Sequence, residues 1–174
     1  MRTVAYDLDG TLFSLKQSIE FFNELKNKNY KLEDIDSYNF SHLYGMSTEE
    51  YLETWLSMSE RIVKHSKLNK KILNNLLMEK SQGSKIIIVT ARNKELDDLN
   101  KKVLNKHGIP FDEYYSNQTD KYHVLRSENA SRFFDDNGEL VENLMNTDIE
   151  STCELTIVDA PYNKNFKSHS RFIL

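Results

Sequence analysis

The chain has 174 residues, and its 23 lysine and arginine side chains against 27 acidic ones give a formal net charge of −4. A chain of this length fits one compact domain, with room for an inserted subdomain. The single cysteine, Cys153, excludes an intrachain disulfide and a cysteine metal cluster, and favours a reducing, cytoplasmic setting. The mildly acidic total argues against a nucleic acid polymer as partner, and no apolar run predicts a membrane span.

Short β-prone segments alternate with helical patterns along most of the chain. The predicted strands cover residues 2–6, 85–89, 111–116, 132–134 and 154–158. The second of these is continuously apolar, which is typical of a strand covered on both faces. Strands that alternate with helices predict an α/β fold with a Rossmann-like, doubly wound parallel sheet.

Residues 13–82 interrupt this alternation, because they show helical patterns and no convincing strand. Ser47 and Glu50 have the spacing of a capping box that opens one helix. The apolar residues predicted to form one stripe of that helix are Leu52, Trp55, Leu56 and Val63. An insert after the first strand lies over the carboxyl ends of the strands, where such sheets bind ligands. We therefore predict an α/β core over 1–12 and 83–174 and a small helical cap, a candidate lid, over 13–82.

Polar side chains gather where the predicted strands end. They are Asp7 and Asp9 after the first strand, Thr90, Ala91 and Arg92 after the second, Asp135 and Asp136 after the fourth, and residues 159–163 after the fifth. The carboxyl ends of parallel strands converge on one crevice, so these carboxylates are expected to lie together. Carboxylates that lie so close together raise each other's pKa unless a cation lies among them, and Mg²⁺ prefers oxygen ligands of this kind.

Each of these features has a plainer interpretation when taken alone. An Asp-x-Asp-Gly run is most often a polar turn, Thr90 a strand-end hydroxyl, and Lys121 a solvated lysine at the start of a helix. The complete set, in this order and at predicted junctions of strands and helices, is much harder to produce by accident. The set therefore indicates a functional site rather than separate structural features.

The set also resembles a known family. The segment from Asp7 to Thr11, together with Thr90, Lys121 and the pair Asp135-Asp136, is similar to the four motifs of the haloacid dehalogenase (HAD) superfamily of aspartate-nucleophile phosphatases. The resemblance spans residues 2–163 and gives the insert the position of the helical C1 cap of that superfamily. The segments VTAR, FDDN and DAPYN resemble the 5′(3′)-deoxyribonucleotidase branch.

The resemblance implies a role for each matching residue. Asp7 would be the nucleophile, and Asp9 would be the general acid and base. The ligands implied for Mg²⁺ are Asp7, the backbone carbonyl of Asp9 and Asp135, with Asp136 as support or as the alternative ligand. The phosphoryl oxygens would be held by Thr90, the N–H of Ala91 and Lys121. Arg92 has two open roles, since it can bind the substrate phosphate or pair with an acid.

The resemblance further implies a phosphate monoester as substrate, a nucleoside monophosphate and in particular a deoxyribonucleotide. Candidate residues of the substrate pocket are Phe13, Leu15, Trp55, Tyr162 and Asn163. A core position is the alternative for Trp55, and a rigid surface turn is the alternative for the loop that holds Tyr162 and Asn163. Other open functions are hydrolysis of a sugar phosphate, a receiver-like signalling domain and a catalytically silent binding protein. The oligomeric state is also open, with a homodimer as one option.

Overall fold

The computed structural model describes residues 2–174. Within that range the chain forms one six-stranded sheet, ordered β3-β2-β1-β4-β5-β6, with every neighbouring pair parallel. The strands are β1 (Thr3–Tyr6), β2 (Lys85–Val89), β3 (Glu113–Tyr115), β4 (Ala130–Asp135), β5 (Glu154–Val158) and β6 (Ser170–Phe172). The α-helices are α1 (Lys16–Lys26), α2 (Thr48–His65), α3 (Lys70–Ser81), α4 (Asp97–Lys106), α5 (Tyr122–Ser127) and α6 (Gly138–Leu144). The predicted α/β fold class is confirmed.

The predicted strands all occur, and the sheet has one more at its edge. β2 and β5 have the predicted bounds, β3 is shorter than predicted, and β4 is longer. The additional strand, β6, pairs with β5 in the register Val158↔Phe172. Its three residues carry no hydrophobic periodicity, so its strand conformation depends on the neighbouring strand rather than on its own sequence.

Both faces of the sheet are covered, as the apolar content of β2 predicts. Ile86 and Ile88 pack into a cluster on one face, and Ile87 and Val89 into a cluster on the other. Successive side chains of a strand point to opposite faces, so only a strand buried on both sides has use for a continuous apolar run.

The regular elements of the insert between β1 and β2 are helices, and Phe13 forms isolated bridges with Asp9 and with Leu68. Its last helix, α3, places Ile72 and Leu76 in the same cluster as β1 and β2. The earlier part of the insert forms a separate aromatic cluster around Phe22. The division at residues 13 and 82 stays a prediction, and the packing of α3 on the sheet favours a shorter cap that ends before this helix.

Helix α2 has the predicted capping box, in which Ser47 Oγ accepts from the N–H of Glu50 at 3.1 Å. The predicted apolar stripe of this helix is wrong in part, because Leu52 and Leu56 are 55% and 58% exposed. The aromatic cluster takes Tyr51 instead, whose ring stacks on Phe22 at 5.1 Å. None of the helices within residues 2–174 combines the length and the apolarity that a membrane crossing requires.

Candidate active site

The polar strand ends converge at the centre of the sheet. The chain runs from β1 outward through β2 and β3, and then returns to the other side of β1 with β4. The gap between β1 and β4 is therefore a topological switch point, the place where open α/β sheets bind ligands. Asp7 follows β1, Asp135 ends β4, and the N–H of Asp7 donates to the carbonyl of Phe134 at 3.0 Å.

Three buried charged groups form the centre of the site. Lys121 Nζ donates to Asp7 Oδ1 at 2.5 Å and to Asp135 Oδ2 at 2.6 Å. Burial raises the pKa of Asp7, and the nearby charge of Asp135 adds to this effect, whereas Lys121 opposes it. Lys121 thus offsets the charge of the two carboxylates without removing the cost of burying them.

Asp136 is a fourth functional group of the centre and is completely buried. Its Oδ2 accepts a hydrogen bond from the Tyr162 hydroxyl, and its backbone carbonyl accepts one from Asn163 Nδ2 at 2.8 Å. Its other carboxylate oxygen, Oδ1, is buried without a hydrogen-bond partner among the described residues. Burial raises the pKa of Asp136, and the charges of Asp135 and Asp7 raise it further.

Gly10 allows Asp136 to lie against the turn that follows Asp9. A Cβ atom built at Gly10 would overlap the Asp136 carboxylate, and the φ angle of Gly10 is +81°. A residue with a side chain is therefore disfavoured at this position both by its backbone conformation and by the missing space.

The carboxylates fit a hard divalent cation. Asp7, Asp135 and Asp136 each offer one oxygen, and these oxygens lie within 4.8 Å of one another. Both oxygens of Asp135 already accept hydrogen bonds, Oδ2 from Lys121 and Oδ1 from the N–H of Asn137 at 2.8 Å. Buried polar atoms normally have partners, so the unpartnered Asp136 Oδ1 is the oxygen that most requires a ligand.

Arg92 lies beside this centre and pairs with Asp9. Its Nε donates to Asp9 Oδ2 at 2.8 Å, and its Nη2 donates to Asp9 Oδ1 at 2.7 Å. Of the two roles left open by the sequence, the structure shows the pairing with an acid. Thr90 is buried at the end of β2, and its Oγ1 accepts from the N–H of Arg92 at 3.2 Å. Ala91, between them, is exposed.

The predicted pocket residues separate into two groups. Tyr162 and Asn163 contact Asp136, so the structure brings them to the carboxylates. Leu15 and Trp55 instead pack in the aromatic cluster of the insert. Phe13 is buried in the sheet core, and the Arg92 guanidinium carbon Cζ lies 5.3 Å from the Phe13 ring centroid. Trp55 is partly buried in that cluster, as its alternative interpretation had it, and Leu15 and Phe13 are buried as well.

Tyr38, in the loop between α1 and α2, is a residue of the site that the sequence did not reveal. Its ring meets the Tyr162 ring at 6.3 Å and an angle of 65°. Burial of its hydroxyl end raises the pKa of Tyr38, as do the charges of Asp136 and Asp7, although 47% of the residue is exposed. The segment around Tyr38 has no periodic pattern, and only its aromatic character in the insert could have singled it out.

No family model matches the sequence. Similar proteins include a nucleotidase from Clostridium acetobutylicum, 25% identical over 162 residues, which spans 92% of this chain and 82% of that protein. A Bacillus cereus protein named "Putative nucleotidase" is 28% identical over 160 residues, which spans 87% of this chain and 85% of that protein.

Solved structures share the fold at low sequence identity. A HAD-superfamily hydrolase from Geobacter sulfurreducens superposes with a TM-score of 0.55 at 14% identity, over 99% of this chain and 91% of that one. A Haemophilus somnus protein described as a predicted phosphoglycolate phosphatase superposes with a TM-score of 0.59 at 16% identity. The superposition covers 99% of this chain and 93% of that one. The fold and the site define an α/β protein with an acidic centre at the switch point of its sheet. That fold is shared with the HAD-superfamily hydrolase, and the predicted HAD-like fold is confirmed.

Proposed function

We propose that the protein is a cation-dependent phosphatase that hydrolyses phosphate monoesters through an aspartyl-phosphate on Asp7. The observation that carries the proposal is the buried Asp7 at the switch point, with Lys121 Nζ 2.5 Å from its Oδ1. This arrangement supplies a nucleophile and a cation that can move to the phosphoryl oxygens as substrate binds. The relatives named as nucleotidases support the same class of activity.

In the first step, a carboxylate oxygen of Asp7 attacks phosphorus, and the bond between phosphorus and the ester oxygen breaks. Asp9 gives its proton to the leaving oxygen, which departs as an alcohol. In the second step, Asp9 takes a proton from water as that water attacks phosphorus, and the bond to Asp7 breaks to release inorganic phosphate. Two easier displacements thus replace one attack on a dianion.

The residues that would hold Mg²⁺ are Asp7, the backbone carbonyl of Asp9 and Asp136. We place Asp136 ahead of Asp135 as the direct ligand, because Asp135 is engaged by Lys121 and by the N–H of Asn137. Bound there, the ion would neutralise charge between the nucleophile and the phosphate. Thr90, the N–H of Ala91 and Lys121 would hold the phosphoryl oxygens.

We further propose a nucleoside monophosphate, in particular a deoxyribonucleotide, as the substrate. The names of the relatives support the nucleotide class, and the deoxyribose preference depends on the resemblance of the VTAR, FDDN and DAPYN segments. Tyr38, which packs against the buried Tyr162 ring and is 47% exposed, gives the organic part of such a substrate an aromatic surface to contact. A cytoplasmic location and a homodimer stay predictions.

Hydrolysis of p-nitrophenyl phosphate with and without Mg²⁺ tests the activity. We expect activity that requires the cation and is lost in Asp7→Asn, and full activity in the exposed control Asp98→Asn. Metal-independent turnover, or an active Asp7→Asn variant, would contradict the proposal. A panel of deoxyribonucleoside and ribonucleoside monophosphates against sugar phosphates then tests the substrate class, and a clear preference for sugar phosphates would refute the nucleotide assignment alone.

A further inference from the structure

Arg92 commits its guanidinium to Asp9 and to two residues outside the catalytic set. Besides the two hydrogen bonds to Asp9, its Nη1 donates to Asn100 Oδ1 at 2.6 Å and its Nη2 to Ser66 Oγ at 3.3 Å. The arginine is buried, and its guanidinium lies above the Phe13 ring. Each guanidinium nitrogen therefore has a protein acceptor, and the side chain is held on several sides.

The partners of Arg92 belong to three parts of the molecule. Asn100 lies on α4, Ser66 directly follows α2, and Asp9 is in the turn after β1. Ser66 lies between α2 and α3, at the end of the shorter cap, and there the N–H of Ser14 donates to the Lys67 carbonyl at 2.8 Å. Arg92 thus fixes Asp9 relative to both the sheet and the base of the insert.

We propose that Arg92 is the positioning residue that orients Asp9 for proton transfer, and that it does not bind the substrate phosphate. This inference rests on the proposed phosphatase function. Two parallel hydrogen bonds from a planar guanidinium define the plane of a carboxylate as well as its place, which a lysine cannot do. Each Asp9 oxygen keeps a second lone pair beyond its hydrogen bond to Arg92, and through it Asp9 can exchange a proton with the leaving group.

Proton transfer depends strongly on geometry, and its importance depends on the leaving group. The alkoxide that departs from a nucleotide is strongly basic and needs a proton, whereas p-nitrophenolate can depart without one. A residue that acts by orienting Asp9 therefore affects the two substrates unequally. A residue that binds the phosphate affects both substrates equally, since they share the phosphoryl group.

The test compares kcat and KM of wild type, Arg92→Ala and Arg92→Lys on a deoxyribonucleoside monophosphate and on p-nitrophenyl phosphate. For Arg92→Ala we expect kcat on the nucleotide to fall about 100-fold and kcat on p-nitrophenyl phosphate to fall by less than about 5-fold, with KM little changed. Arg92→Lys should recover only part of the loss. Arg61→Ala, at an exposed ion pair with Glu24, is the matched control.

Asn100→Ala provides a milder variant in case Arg92→Ala folds poorly, because it removes an anchor of Arg92 and leaves both members of the ion pair in place. We expect a smaller loss with the same dependence on the leaving group. Equal losses on both substrates, or a rise in KM together with weaker inhibition by inorganic phosphate, would instead show that Arg92 binds phosphate and would overturn the inference.

A double-mutant cycle with Asp9→Asn isolates the coupling between the two residues. If Arg92 acts through Asp9, adding Arg92→Ala to Asp9→Asn should change nucleotide turnover by less than about 2-fold. Losses that multiply would overturn the inference. Failure of the proposed function has a different signature, since wild-type hydrolysis would then persist in Asp7→Asn.

Discussion

Replacement of Lys121 by methionine tests the charge balance at the centre of the site. Methionine keeps most of the side-chain length and removes the ammonium group that donates to Asp7 and Asp135 at 2.5 and 2.6 Å. The variant leaves two buried carboxylates facing each other without their cation, the situation in which the loss of one buried partner costs about 3–5 kcal/mol of stability.

The size of this loss should depend on pH. Lys121 lowers the pKa of Asp7 against the effects of burial and of Asp135, so its removal raises the pKa of that carboxyl further. The folded variant then binds a proton that the unfolded chain does not, and its stability falls as pH rises. Between the Asp7 pKa of wild type and the higher Asp7 pKa of the variant, only the variant carries the proton. In that range the difference in the free energy of unfolding between the two proteins should narrow by about 1.4 kcal/mol for each unit of decreasing pH.

Urea unfolding of both proteins at pH 6, 7 and 8, with and without Mg²⁺, measures these quantities. We expect the largest difference at pH 8 without the cation, and a larger stabilisation by Mg²⁺ in the variant, toward the roughly 2.7 kcal/mol that a ligand supplies at 100 times its Kd. Lys64→Met, at an exposed pair with Glu60, should lose at most about 0.5 kcal/mol. A Lys121→Met variant as stable as wild type at every pH would refute the reasoning.

Three further predictions concern the surroundings of the site and the sheet. In Gly10→Ala the new Cβ would overlap the Asp136 carboxylate. We expect kcat in a phosphatase assay to fall at least about 100-fold, and the free energy of unfolding in urea to fall by about 1–3 kcal/mol. An active and stable variant would contradict this prediction. Tyr38→Phe removes one hydrogen-bond donor from a half-exposed side chain. We therefore expect kcat/KM on nucleotides to fall about 3- to 10-fold and the melting temperature to stay unchanged. An unaltered kcat/KM would show that Tyr38 does not contribute to the site. The hydrogen bond from Lys85 lowers the pKa of Glu128, so the stabilisation by Glu128 is present at neutral pH and is lost as pH falls through its folded-state pKa. Glu128→Gln should therefore cost about 1 kcal/mol in urea unfolding at pH 7 and little near pH 3, whereas an equal loss at both pH values would contradict that sign.

The sequence predicts the sheet because the signals for its strands are local. β2 and β5 are apolar runs bounded by polar junctions, and their bounds agree with the structure. β6 could not be predicted, since three residues with no pattern become a strand only when β5 offers its free edge. The exposure of Leu52 shows the corresponding limit for helices, because periodicity predicts a stripe but the neighbouring rings decide which side is buried.

The positions of the charged residues at the strand ends were also predictable, whereas their partners were not. Parallel strands bring Asp7 and Asp135 to one edge by topology alone. Whether Arg92 meets a phosphate or an acid depends on the insert and on α4, which supply Ser66 and Asn100 from distant parts of the sequence. Side-chain geometry likewise decides that Lys121 donates to Asp135 and that one carboxylate oxygen of Asp136 has no hydrogen-bond partner among the described residues.

The charges of the centre show how an acidic protein would bind the anionic substrate that we propose. The four carboxylates are Asp7, Asp9, Asp135 and Asp136, and they face the two cations of Lys121 and Arg92. When all four carboxylates are ionised, two negative charges remain, and one divalent cation balances them. Coulomb repulsion at these short separations is strong in a buried site, so we expect a phosphate dianion to bind more weakly without such a cation. The carboxylates would thus bind the proposed cation rather than only repel the substrate, and the overall charge of −4 does not oppose the proposed reaction.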